Sequence, residues 1–108
     1  MKASQLTRGL ARRLMYVENK NGLIDGAAAR IGWVTFSKTG RTVRYRGLSL
    51  MAIGGRGIAG NFMDVETREE YWVTGVKARG TNAHFPNVAI LVDDDAVEAY
   101  AHRRAAAK

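Results

Sequence analysis

Six consecutive residues, Gly55-Arg56-Gly57-Ile58-Ala59-Gly60, spell G-x-G-x-x-G, the spacing that lets a backbone approach a pyrophosphate. That chemistry needs a helix whose N-terminus receives the phosphate. Here Asn61-Phe62-Met63-Asp64-Val65 follows and reads as strand, so a dinucleotide site is not expected. A simpler anion loop is the remaining reading, with Gly55, Gly57 and Gly60 offering backbone amides beside Arg56. Six basic residues (Arg30, Lys38, Arg41, Arg44, Arg46, Arg56) fall between positions 30 and 56 with no acid among them. Arg41, Arg44, Arg46 and Arg56, together with the basic ends of the chain, are therefore the candidates for holding nucleic acid (RNA or DNA) or another polyanion. The competing arrangement sets these cations against carboxylates of a neighbouring strand. Two acidic clusters are available for that: Asp64, Glu66, Glu69 and Glu70, and then Asp93, Asp94, Asp95 and Glu98.

Other chemistry has less to stand on. Asp64, Glu66 and His84 would serve an acid–base enzyme only if they converged on one cleft. There is no cysteine, and His84 and His102 are the only histidines, so neither a metal site nor a cofactor is expected. No serine has a nucleophile-elbow context. Trp33, Phe36, Tyr45, Phe62, Tyr71, Trp72 and Phe85 include possible stacking platforms, but in a small domain most of them must form the core. Tyr71 and Trp72 are adjacent on a strand and point to opposite faces, so a single-layer sheet buries at most one of them.

These residues sit in a chain of 108, enough for one domain and one core without disulfides. No apolar run reaches the ~18 residues that span a bilayer. A cytoplasmic location with no membrane partner is expected. The net charge of +7 belongs to the ends: residues 1–20 carry +4, residues 101–108 carry +3, and residues 21–100 sum to zero. Residues 1–14 hold Leu6, Leu10 and Leu14 at helical spacing and read as a basic extension, helical or disordered.

From Met15 the pattern turns to that of strands. Leu14–Glu18, Arg30–Ser37, Thr42–Arg46, Leu48–Ile53, Asn61–Val65, Glu69–Val76 and Val88–Val92 are apolar or alternating. Gly40 closes a tight hairpin by accepting positive φ. Asp94 or Asp95 is placed to cap a helix ending near Arg104, which docks through Val97, Tyr100 and Ala101. With no helix alternating between strands, the expected fold is mainly β: a small antiparallel SH3-like or OB-like barrel of five to seven strands spanning residues 15–104, with one C-terminal helix and a tail at 105–108.

The runs MYVENKNGLIDGAAARIGWVTFSKTGRTVRYRG (15–47) and NFMDVETREEYWVTGVKARG (61–80) resemble a family of small bacterial proteins. Its pattern is ARIG-x-V-x-FSKTG followed by N-F-x-DVETGEEYW-V-SG. The resemblance covers roughly residues 15–100 and implies a single β-rich domain with no established activity. Some members bear the label 1-deoxy-D-xylulose-5-phosphate synthase, but a thiamine-dependent synthase needs far larger domains, so that activity is not carried over. Arg68 stands where the pattern has glycine, which predicts either a remodelled turn or an Arg68 strained by about 1 kcal/mol. The sequence thus favours a binding module for nucleic acid or another polyanion, ahead of a protein-interaction module using an exposed strand edge. An enzyme is the least favoured.

Overall fold

The computed structural model describes residues 11–54, 60–83 and 88–106. Strands β1 (Ala11–Asn19), β2 (Ala29–Phe36), β3 (Thr42–Tyr45), β4 (Leu48–Ala52), β5 (Phe62–Asp64) and β6 (Glu70–Gly75) are joined antiparallel, and β1 returns to β2 to close a six-stranded barrel. A seventh strand, β7 (Ile90–Val92), lies outside this ring and runs parallel to β2. A 3-10 turn (Asp94–Ala96) then leads into helix α1 (Val97–Ala105). The mainly β barrel with a C-terminal helix expected from the sequence is the observed architecture.

Period-two alternation decides what each strand buries. Val17, Val34, Val43, Tyr45, Leu50, Tyr71 and Val73 turn inward and fill the barrel. Many of the opposite residues of β1, β2 and β6 do not face water either. Leu14, Tyr16, Ile31, Trp33 and Trp72 form a second apolar cluster, covered by β7, Ala96, Ala99 and Tyr100. Tyr71 and Trp72 therefore both find cores, one on each side of the wall. The expectation that only one of them could be buried fails because the sheet is covered on its outer side as well.

Three further expectations are corrected. The first strand reaches back to Ala11, because Arg12, Arg13 and Leu14 pair with Thr35, Val34 and Trp33 of β2. Residues 11–14 thus belong to the barrel and not to a helical or disordered extension. Leu6 and Leu10 lie outside the described residues. Neither Asp94 nor Asp95 caps α1: both sit in the 3-10 turn, and the N-cap position falls on Ala96 with no side-chain bond. The helix docks through Ala96, Ala99 and Tyr100, at i, i+3, i+4 spacing, while Val97 and Ala101 are exposed.

Hairpin chemistry follows the sequence closely. Gly40 has φ +75°, and Arg46-Gly47 joins β3 to β4 with positive φ at both residues, the I′ pattern that matches strand twist. Arg68 adopts φ +68°, a left-handed conformation that glycine takes at no steric cost. Arg68→Gly should raise stability by roughly 0.5–1 kcal/mol, the relieved strain outweighing the entropy glycine adds to the unfolded chain. A urea midpoint that stays put or falls would show the turn to be unstrained.

Candidate nucleic-acid interface

Three of the four candidate arginines are described, and two of them, Arg44 and Arg46, line one shallow concavity with Thr35 and Ser49. Arg56, Gly55 and Gly57 lie outside the described residues, as does His84. Gly60 is described, and its amide donates to Glu70 Oε1 at 3.0 Å, so it holds an internal carboxylate and not a bound anion. Arg41 and Arg44 are exposed, and among the described residues neither has a carboxylate within ion-pairing distance. Arg46 is different. Its Nε meets Asp25 Oδ2 at 2.8 Å, and its Nη1 lies 3.5 Å from Asp93 Oδ1. The hydrogen bond to Asp25 raises its already high pKa. Arg46 is therefore a clamp between two turns and leaves the free basic set.

Asp93 is the centre of that clamp. β2 pairs with β1 along one edge and shares the other between β7, at Ala29, Arg30 and Ile31, and β3, at Thr35 and Phe36. Between these two partners the wall is open, and the buried Asp93 carboxylate fills the opening. Tyr45 Oη donates to its Oδ2 at 2.5 Å, and Arg30 Nη1 to its Oδ1 at 3.0 Å. Gly32 makes the room: a Cβ there would lie 2.1 Å from Asp93 Oδ2. The cluster is saturated and structural, pinning the C-terminal layer to the barrel.

Asp64, the buried acid considered for acid–base chemistry, accepts the backbone N–H of Glu66 at 2.8 Å and of Thr67 at 3.4 Å. It shapes the β5–β6 turn, as Asx residues do. No group of three metal-ligating side chains occurs among the described residues.

Burial and the adjacent Asp93 carboxylate push the Tyr45 hydroxyl far above its ordinary range. Burial, with the charges of Glu69 and Asp64, pushes Tyr71 up to about 12. An unfolded tyrosine ionises near pH 10. Above that pH the folded chain keeps protons that the unfolded chain has released, so stability falls as pH rises from about 10 through 12. Urea unfolding across that interval should show a declining midpoint, and a constant one would contradict the buried hydroxyls.

What the sequence did not single out is the partnership of Arg12 with Arg44. Register places Arg12 opposite Thr35, Thr35 opposite Arg44, and Arg44 opposite Ser49. All four belong to the outward set, so the barrel wall carries a row Arg12–Thr35–Arg44–Ser49 with the two arginines about 10 Å apart across two strand spacings. Arg12 also lies over the Trp33 ring, 4.2 Å from its centroid, while the Trp33 Nε1–H donates to the Asp95 carbonyl at 3.1 Å. Arg13 stands 5.8 Å from the Phe36 ring at the end of the barrel. The missed signal was the charge of residues 11–14, which the sequence assigned to an extension.

The class this geometry defines is a small closed β-barrel with a capped outer wall and one uncompensated basic face. No family model, curated protein or solved structure matches the chain. No helix among the described residues is long and apolar enough to cross a membrane.

Proposed function

We propose that this protein is a non-enzymatic module that binds nucleic acid through phosphate contacts on the outer face of β1, β2 and β3. The observation that carries the reading is the row Arg12–Thr35–Arg44–Ser49, with no carboxylate pairing with Arg12 or Arg44 among the described residues. Two fixed cations flanking hydroxyl donors suit a row of phosphate oxygens. Arg46, spent on Asp25 and Asp93, supports the face and does not contact the ligand.

Fluorescence anisotropy with a labelled oligonucleotide tests this. Two phosphate contacts, at Arg12 and Arg44, give a log K against log salt slope of about −1.5 to −2. Affinity that does not change with salt overturns the proposal. A protein-interaction module is the second reading, favoured by β7, whose outer edge carries no partner strand and whose Leu91 is half exposed. Recovery of one protein from nuclease-treated lysate, with no salt-dependent oligonucleotide binding, would select it.

A further inference from the structure

Trp33 lines two concavities of different character. On one side, a cleft of about 760 Å³ is of mixed charge, lined by Asp93, Asp94 and Asp95 together with Arg30 and Arg46. On the other, a groove of about 510 Å³ runs between the start of β1 and α1, and no carboxylate lines it. Its floor is apolar, from Leu14, Val76 and Ala99, and its rim carries Arg12, Arg13 and Arg103. This is where the two charged ends of the sequence meet. Arg103 comes from the last turn of α1, and its Nη1 donates to the Val76 carbonyl at 3.4 Å, holding the side chain along the groove.

We infer that this groove takes an unpaired base of a single-stranded nucleic acid, set against Arg12 and Trp33, with the flanking phosphates on Arg13 and Arg103. The inference rests on the nucleic-acid reading above and specifies its substrate as single-stranded. A duplex keeps its base faces stacked and offers only base edges, sugar and phosphate, so an apolar floor that receives a base face would be wasted on it. An unpaired base buries an apolar face while its phosphates stay on the charged rim. Arg12 over an indole is a planar cation backed by a ring, a platform of the kind on which bases stack.

The test compares three fluorescein-labelled probes on the full chain: a single strand, the duplex of the same sequence, and the same single strand made abasic. The single strand should bind at least about tenfold tighter than either of the others, the scale of one stacked base. Arg103→Ala, an exposed change, should weaken the single strand several-fold more than the duplex. Equal affinity for all three probes overturns the groove inference and leaves phosphate binding standing. No salt-dependent binding of any probe overturns both. Circular dichroism of the variant keeps loss of binding distinct from loss of fold.

Discussion

Replacing Asp93 with alanine should cost this fold about 3–5 kcal/mol, the scale for removing one partner from a buried, hydrogen-bonded ion cluster. The carboxylate is 6 % exposed and takes hydrogen bonds from Tyr45 and Arg30, with Arg46 3.5 Å away. Alanine would leave the Arg30 cation and the Tyr45 hydroxyl without their acceptor in a place water reaches poorly. It would also release the link between the barrel and the β7–α1 layer, since only three residues of β7 pair with β2. For a domain of this size the melting temperature should drop by on the order of 15–30 °C. Asp93→Asn keeps the shape and an acceptor and should cost less than alanine. Gly32→Ala approaches the same failure from the opposite wall, because its methyl would overlap Asp93 Oδ2. Urea unfolding of the single variants and of the double variant measures the coupling. The two changes disable one contact, so the double variant should cost clearly less than the sum. A loss below about 1 kcal/mol for Asp93→Ala would mean the cluster is a surface pair in disguise.

How far the sequence reached can be followed through these same residues. Local pattern was enough for the hairpins: the alternation around Val43 and Tyr45, positive φ at Gly40, and the strained Arg68 all depend on a few adjacent positions. Burial on both sides of the wall was not legible, because Trp72, Ile31 and Tyr16 are covered by chain from the distant C-terminal end. The same holds for charge. Arg30 and Asp93 are 63 positions apart, and nothing local to either announces the pair. Arg12 and Arg44 become neighbours of one threonine only when β1 closes on β2 and β3 joins from the other edge. Net charge counted along the chain therefore placed the cations correctly as a total, yet assigned Arg46 to the free face and Arg12 to a loose end. Closure of the ring, not propensity, sorts the arginines.

That sorting makes the paired charge reversal Arg12→Glu with Arg44→Glu the sharpest functional experiment. Each arginine replaced removes one phosphate contact and its released counterion, and each glutamate adds a repulsion on the same face. The double variant should bind an oligonucleotide on the order of a hundredfold more weakly at low salt. Its salt slope should be shallower by about two. The fold should hold, since Arg44 is exposed with no ion pair among the described residues, and Arg12 gives up one surface contact with Trp33. Arg68→Gly is a one-charge control: it removes a positive charge at the β5–β6 turn, beside Glu66 and Glu69, away from the Arg12–Arg44 row. It should leave affinity unchanged within error, because a cation that meets no phosphate contributes only through the screened field. The double reversal changes the charge by four and the control by one, so a control that lost about threefold or more, a quarter of the logarithmic effect, would mean that binding follows total charge and that the row on the barrel wall has no special part in it.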